Sequence, residues 1–282
     1  MHLYVITGLL LFLAEPPFGL WPLAFIALIP LLHAARQSSN YRRAGIGGFI
    51  SGVAFFAPGL FWLTSTTVIG WAALALYCAA YVSVFAIFAR FTSNSLSLAA
   101  GWTLLEFVRG AIAFTGFPWL LLSHSQYAFT PFTQILDVIG AYGLSGMLIV
   151  MNALIWKGSA DRKRKDLFVA AAILLITCIY GYVRLNTIPL KRAQHVALVQ
   201  ASVPQEMKEA LEGTYNPGEG LSRYLKASET IPEDRKIDLL VWPETVVLSP
   251  FTLNVDPAIL NDALSKDAHF AQGALGRLAL TH

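Results

Sequence analysis

The chain has 282 residues, of which 56% are hydrophobic and only 13% are charged, and its mean hydropathy is +0.57. A soluble domain is typically about 45–50% apolar and about 25% charged, so this composition argues against an ordinary soluble protein. The formal net charge of +3 is small and sits mostly in loops, which argues against a nucleic-acid partner and favours a membrane protein.

The apolar residues are concentrated in the first part of the chain, where charged side chains are rare. Residues 191–282, in contrast, have the composition of a soluble domain. We therefore predict an integral-membrane helical domain over residues 1–186 and a hydrophilic tail over residues 191–282. The Asp, Glu, Lys and Arg residues of 1–156 are Glu15, Arg36, Arg42, Arg43, Arg90, Glu106, Arg109 and Asp137.

Long apolar runs predict about seven membrane spans, because a spanning helix needs roughly 20 mainly apolar residues. The first run is short, ends at Pro16-Pro17 and pairs with the second as a tight hairpin. It fits a signal peptide poorly, because no Lys or Arg opens it and no small-residue cleavage site precedes Glu15. The predicted spans are 3–14, 18–35, 44–63, 71–90, 96–115, 137–156 and 167–184.

The basic residues predict which side of the membrane each loop occupies. The loops after even-numbered spans hold most of them, whereas the loops after odd-numbered spans hold Arg109 and little else. By the positive-inside rule the even loops and the N-terminus are cytoplasmic, and the chain after Arg184 lies outside. In a bacterium this predicts a multi-pass protein of the cytoplasmic (inner) membrane with its tail on the periplasmic face. The basic loop residues are Arg36, Arg42, Arg43, Arg90, Lys157, Arg162, Lys163, Arg164 and Lys165.

The hydrophilic tail reads as the beginning of an α/β domain. His195–Gln200 is a short apolar run typical of a strand, and Gly218–Thr230 has helical periodicity and stops before Pro232. A second apolar run, Ile237–Val241, follows. Strand, helix and strand in this order predict one βαβ unit.

Glu244 follows the second predicted strand directly, in the sequence Trp242-Pro243-Glu244. The proline cannot extend a strand ladder, so the chain must turn there. Catalytic and binding groups of α/β folds gather just beyond the carboxyl ends of strands. We therefore take Glu244 as the candidate catalytic residue, with a plain capping role after the strand as the alternative.

Motifs in both parts of the chain together resemble one protein family. The tail contains Val196-Ala197-Leu198-Val199-Gln200 and later the run Asp238 to Thr245, D-L-L-V-W-P-E-T. The membrane part contains E-F-V-R-G at 106–110, T-G-F-P-W-L at 115–120, Ser125-Gln126 and an early P-F-G at 17–19. In their order and spacing these motifs resemble apolipoprotein N-acyltransferase over about residues 5–248.

The resemblance implies a fold and a reaction. The family joins a multi-span helical membrane domain to a nitrilase-like (carbon–nitrogen hydrolase) αββα sandwich, and it needs no cofactor or metal. It moves an acyl chain from a phospholipid donor to the α-amino group of the diacylglyceryl cysteine of an apolipoprotein, at the lipid bilayer. A cysteine thiolate forms a thioester with the acyl group, a glutamate acts as general base and a lysine stabilises the tetrahedral intermediate. Glu244 matches the family's glutamate.

The sequence departs from the family pattern at the other two catalytic positions. The resemblance places the family's lysine and cysteine well downstream of W-P-E, and Lys266 follows Glu244 too closely to be that lysine. The only cysteines, Cys78 and Cys178, fall inside predicted spans and fit small packing residues. The expectation is an N-terminal half of the family's full length, whether truncated, frameshifted or a fragment, that is inactive alone.

Several residues of the membrane part have two interpretations. Glu106 and Arg109 are three positions apart, so they either serve function as intramembrane charges or neutralise each other in a structural role. We favour the structural role.

Phe117, Trp119 and Trp102 either line a lipid entry or anchor the chain at the membrane interface, which is the commoner role. His124 reads as loop surface. Close helix packing is predicted at Gly45, Gly47, Gly48 and Gly52.

Three functions remain open on the sequence alone. The first is lipoprotein N-acyl transfer, and the second is a non-catalytic membrane protein that keeps the family's lipid-binding scaffold. The third is a multi-span transporter. Transporters often consist of two related halves with broken spans at corresponding positions, and the sequence shows no such repeat, which disfavours this function. No metal-ligand spacing, phosphate loop or nucleic-acid motif is present in the sequence.

Overall fold

A computed structural model of the chain describes residues 1–113, 116–160, 164–188, 194–200, 202, 217–232 and 237–243. Contacts divide the chain into two units, Met1–Pro189 and Leu190–His282. The described residues of the first unit are mainly helical, and those of the second form two strands and one helix.

The first unit is built from α-helices joined by short helical turns. Polar caps start three of them, because Asn40, Thr67 and Asn94 accept hydrogen bonds from backbone N–H groups in the first turns of α3, α4 and α5. The helices are α1 (His2–Ala14), α2 (Ile29–Gln37), α3 (Tyr41–Gly59), α4 (Val68–Phe91), α5 (Ser95–Phe107), α6 (Thr130–Thr133), α7 (Leu136–Ala160) and α8 (Arg164–Thr187). The 3-10 turns are Trp21–Phe25, Phe61–Ser65 and Leu122–Gln126, and a π-helix covers Val108–Ile112.

Within the described residues, three helices are long and apolar enough to cross a membrane. They are α4, α8 and residues Leu136–Ser159 of α7, each with 24 residues. At 1.5 Å per residue α4 and α8 each reach about 36 Å, more than the roughly 30 Å of the hydrocarbon core. The backbone of α7 is kinked near its start, at Gly140, which has φ of 65°. These helices coincide with the fourth, sixth and seventh predicted spans, and the total of seven spans stays a prediction.

The second predicted span is wrong as one continuous helix. The structure breaks residues 18–35 into the 3-10 turn Trp21–Phe25 and the start of α2. Pro22 and Pro30 lie at the first positions of these two segments, where a missing N–H group costs no hydrogen bond but prevents an unbroken helix. The predicted helix over 96–115 likewise changes at Phe107 into the π-helix.

Glycines bring α3 and α4 close together. A Cβ atom at Gly48 would lie 2.5 Å from the Cβ of Ala86, and one at Gly52 would lie 2.5 Å from the Cα of Ala79. Such distances leave no room for a side chain, so backbone meets backbone along this seam, as small residues allow in membrane helices. The predicted close packing at Gly48 and Gly52 is confirmed.

The second unit contains a parallel strand pair. Strands β1 (Val196–Leu198) and β2 (Leu239–Val241) pair in parallel, and α9 (Pro217–Glu229) lies between them in sequence. Trp242, just after β2, donates its indole N–H to the Ser228 hydroxyl of α9 at 3.0 Å. The predicted strand–helix–strand order is thus confirmed for the described residues, and the nitrilase-like fold stays a prediction.

Candidate functional site in the membrane unit

The predicted catalytic Glu244 lies outside the described residues. The structure describes the chain up to Pro243, where Trp242 packs 6.0 Å, centroid to centroid, from the ring of Tyr224 in α9. The end of β2 is therefore held against α9 just before Glu244. The role of Glu244 stays a prediction.

Glu106 and Arg109 are buried in the membrane unit, with only 5% and 2% of their surfaces exposed. Glu106 lies in the last turn of α5, and Arg109 lies in the π-helix that follows. A π-helical turn inside a helix is rare and occurs frequently at functional sites. Burial of two charged groups is costly unless hydrogen bonds satisfy them, so their partners define the site.

Both side chains bond to the backbone of one loop, residues 117–122. Glu106 Oε1 accepts a hydrogen bond from the Leu122 N–H at 2.8 Å. Arg109 Nη1 donates to the carbonyl oxygens of Phe117 and Trp119, at 2.9 and 2.7 Å. We call this arrangement the loop clamp. The loop clamp supports the structural interpretation of the pair. Each charged side chain, however, is bonded to the backbone of the loop and not to the other side chain.

The loop needs such partners because its backbone is not helical. Leu120 has φ of 53° and Gly116 has φ of 89°, both in the left-handed region. Buried backbone groups that no helix or sheet pairs must be satisfied by other groups of the protein. The loop clamp fulfils this requirement from two consecutive helical turns, and it fixes the shape of the loop.

A small cavity borders the clamp. Its volume is about 20 Å³, and Trp102, Glu106, Arg109 and Phe56 are among its lining residues. Glu106 Oε2 and Trp102 Nε1 are both buried beside this cavity. Such a volume is about that of one water molecule. The Arg109 guanidinium also lies 5.1 Å from the Phe56 ring centroid, a cation–π distance.

Two polar residues of α7 extend the site, and sequence reasoning missed both. The Ser145 hydroxyl accepts a hydrogen bond from the Ser123 N–H at 3.0 Å, directly after the clamped loop. Asn152 Oδ1 accepts from the Leu28 N–H at 2.9 Å, and its Nδ2 donates to the Ala24 carbonyl at 2.8 Å. The available signal was a polar side chain within a strongly apolar helix, since such residues usually have specific partners.

The aromatic residues near the clamp have different surroundings. Phe117 and Trp119 stack with ring centroids 5.2 Å apart, and Trp119 is half exposed. Trp102 is buried and packs edge-on against Phe85, so the anchoring interpretation is wrong for Trp102. The clamped loop thus presents Trp119 on the surface above a buried polar layer.

His124 lies on the exposed surface of the 3-10 turn after the clamped loop, as predicted. Desolvation of the ring and, second, the positive charge of Arg109 lower the pKa of His124 from its usual 6.5. Both causes favour the neutral form of the imidazole.

The two cysteines are free and lie in membrane helices. Cys78 in α4 is fully buried, and Cys178 in α8 is partly buried. Both pack among the apolar side chains of the core, which supports the predicted packing role.

These features define a helical membrane protein whose buried charged residues organise a surface loop. The sequence model of the apolipoprotein N-acyltransferase N-terminal domain matches residues 7–154, more than half of the chain, including the clamp, the loop, Ser145 and Asn152. The chain belongs to the apolipoprotein N-acyltransferase family.

Curated relatives support the assignment along most of the chain. An apolipoprotein N-acyltransferase of Geobacter metallireducens is 34% identical over 280 residues, covering 90% of this chain and 52% of the relative. Relatives of the same name from Photobacterium profundum and Haemophilus influenzae are 29% and 30% identical, over 92% and 86% of this chain and 53% and 49% of their own lengths. The chain spans about half the length of the curated relatives it matches.

Proposed function

We propose that this chain serves lipoprotein N-acylation, the transfer of an acyl chain from a phospholipid to the α-amino group of a diacylglyceryl cysteine. The loop clamp is the observation that carries the proposal. Two of the motifs that resemble the family, E-F-V-R-G at 106–110 and G-F-P-W-L at 116–120, meet in one hydrogen-bonded device. The relatives' names support the same reaction.

The membrane unit has a binding role in this proposal. The clamp holds the loop so that Trp119 faces the lipid, where an indole ring favours the boundary between apolar chains and headgroups. A donor phospholipid would meet this surface. The tail carries Glu244 as general base, and we place the tail on the outer face of a bacterial inner membrane.

The nucleophile of the reaction is not Cys78 or Cys178. A thiol in apolar surroundings rarely forms the thiolate that attacks an ester, and Cys78 is fully buried in α4. We expect a polypeptide of these 282 residues alone to form no thioester with labelled phospholipid. Loss of measurable transfer on changing Cys78→Ala or Cys178→Ala would contradict this assignment.

A domain exchange tests the function of the membrane unit. Residues 7–154 of this chain would replace the aligned region of the Geobacter metallireducens relative, and transfer of a labelled acyl chain to a diacylglyceryl peptide would be measured. We expect activity in the exchanged protein and a strong decrease with Arg109→Met, because the loop then loses its hydrogen bonds. Asp137→Asn is the matched control, since Asp137 bonds Tyr180 and Arg184 rather than the loop.

The exchange separates the proposal from its alternative. A folded exchange protein that binds phospholipid but transfers no acyl chain would favour the non-catalytic lipid-binding scaffold. Equal activity of the Arg109→Met and Asp137→Asn variants would show that the loop clamp has no part in the reaction.

A further inference from the structure

Four arginines lie at one end of the membrane unit, where α2 leads into α3 and where α4 ends. Arg36 lies in the last turn of α2, Arg42 and Arg43 lie in the first turn of α3, and Arg90 lies in the last turn of α4. The first three are exposed, and Arg90 is partly exposed. We call these four residues the arginine cluster.

Hydrogen bonds hold two members of the cluster at one place. The Arg90 guanidinium donates from Nε to the Ser38 carbonyl and from Nη2 to the Ser39 carbonyl, both at 3.1 Å. Arg36 Nη1 donates in turn to the Arg90 carbonyl at 2.8 Å. These bonds join the end of α4 to the connection between α2 and α3, and they keep both cations at that junction.

Acidic side chains do not balance this charge within the described residues, where no arginine of the cluster forms an ion pair. Residues 1–105 contain a single acidic residue, Glu15, at the far end of α1. Tyr4, near the start of α1, bonds to Ser38 beside the cluster at 3.1 Å. At 1.5 Å per residue, Glu15 lies about 16 Å from Tyr4 along the helix axis. Uncompensated like charges repel one another, which favours binding of an anion.

An exposed apolar face of α4 ends beside the cluster. The guanidinium carbon of Arg90 lies 5.5 Å from the ring centroid of Phe91, a cation–π distance. Val84, Phe88 and Phe91 are spaced by four and three residues, so they share one face of the helix. Their exposed fractions are 50%, 38% and 66%. The last two turns of α4 therefore present apolar side chains that lead to the Arg90 guanidinium.

The position of the cluster along α4 points to a lipid ligand. This helix is long and apolar enough to cross a membrane, and Arg90 lies in its last turn. The end of a spanning helix lies at the level of the headgroups, where basic residues attract anionic lipids. Guanidinium groups bind phosphate oxygens through charge-assisted hydrogen bonds. The basic loops predict that this end of the protein is cytoplasmic.

We propose that the arginine cluster binds the phosphate of an anionic glycerophospholipid, with an acyl chain along the exposed apolar face of α4. Arg36 and Arg90 are the principal contacts of the headgroup. A zwitterionic headgroup adds an ammonium group that the arginines repel, so the site favours a lipid with net negative charge. Val82 borders the cavity at the loop clamp, and Arg90 lies about 12 Å further along α4, so this site is separate from the clamp.

Native mass spectrometry of the full chain in detergent tests the headgroup contact. The probes are phosphatidylglycerol and phosphatidylethanolamine with identical acyl chains, and we expect tighter binding of phosphatidylglycerol. Arg36→Gln should lower its affinity about fivefold and Arg36→Gln/Arg90→Gln about 25-fold, about fivefold for each basic side chain. The matched control is Arg164→Gln/Lys165→Gln, an exposed basic pair at the start of α8 with the acidic Asp166 beside it.

The single variant keeps the test decisive if the double variant fails to fold. Arg36→Gln leaves the bonds of Arg90 to Ser38 and Ser39 in place, so its thermal midpoint should stay close to that of the unaltered chain. An unchanged affinity of folded Arg36→Gln for phosphatidylglycerol would refute the site. Equal binding of the two lipids to the unaltered chain would overturn the headgroup contact, and an equal loss in the control would overturn its location.

Two further measurements separate a lipid from a soluble phosphate. Glycerol 3-phosphate carries the phosphate without acyl chains and should not displace phosphatidylglycerol at equal concentration; displacement would overturn the lipid assignment. Phe91→Gln should weaken binding of both lipids, because it removes an apolar contact beside the cluster. Phe168→Gln is its matched control, since Phe168 in α8 is exposed to a similar degree, at 74%. Equal effects of these two changes would overturn the acyl-chain contact along α4.

Discussion

Glu106 and Arg109 hold opposite ends of one loop. The Glu106 carboxylate accepts the N–H of Leu122 at 2.8 Å, and the Arg109 guanidinium donates to the carbonyl of Phe117 at 2.9 Å. The loop between these bonds carries Trp119 to the surface. The negative side chain thus accepts a backbone N–H group, and the positive side chain, one turn further on, donates to a backbone carbonyl. The non-helical loop cannot satisfy these two groups by itself.

Removing the Arg109 charge should destabilise the membrane unit strongly. Arg109→Met leaves the carbonyls of Phe117 and Trp119 without their donor. Each buried group that is left unsatisfied costs about 1–3 kcal/mol of unfolding free energy. The measurement is the thermal midpoint of the full chain in detergent.

Glu106→Gln provides the comparison for that variant. The amide oxygen of glutamine can still accept the Leu122 N–H, so a much smaller change in thermal midpoint is expected. If Arg109→Met melted at the same temperature as the unaltered chain, the loop clamp would not hold the structure together.

Asn152 should be nearly as sensitive as the clamp. Asn152→Leu removes the acceptor of the Leu28 N–H and the donor to the Ala24 carbonyl, both buried. Each unsatisfied group costs about 1–3 kcal/mol. Thermal unfolding of the full chain measures the loss, and Asn186→Leu, at the exposed end of α8, is the matched control. Equal midpoints for the two variants would refute the role of Asn152.

The sequence predicted the features that depend on local pattern. The apolar runs gave α4, α7 and α8, and the alternation of apolar runs and helical periodicity gave the strand–helix–strand order of the second unit. Both follow from residues that are neighbours in the chain, so no knowledge of the tertiary arrangement was needed.

The partners of the buried polar residues required the three-dimensional structure. The spacing of Glu106 and Arg109 suggested that they neutralise each other, because side chains three residues apart on a helix are neighbours. The π-helix and the loop instead give each a backbone partner. The bond from Leu28 to Asn152 crosses 124 positions of the chain, and no local pattern predicts such a contact.

The positive-inside pattern leads to a topology prediction. The basic residues near the end of α7 and the start of α8 predict that residues 157–165 lie in the cytoplasm and residues 191–282 on the outer face, because α8 is long and apolar enough to cross the membrane between them. Reporter fusions after residues 160 and 200 should therefore report opposite sides of the membrane. Two reporters on the same side would show that α8 does not span.

The second unit should not fold cooperatively as an isolated fragment of residues 191–282. The side chains of its two strands are substantially exposed, with Leu198 at 79%, Val196 at 46% and Leu239 at 40%. Full burial of such a side chain contributes about 1.5–3 kcal/mol. Ordering the backbone costs about 1–2 kcal/mol for each residue, so strands this exposed do not offset the cost.

Two measurements on the purified fragment check this expectation. Circular dichroism should show a gradual thermal change without a sharp transition, and limited proteolysis should cleave the fragment rapidly. In the full chain, the same protease should leave the membrane unit intact, because its helices satisfy their own backbone hydrogen bonds. A sharp two-state transition of the isolated fragment would show that α9 and further contacts bury β1 and β2 well enough to form an independent domain.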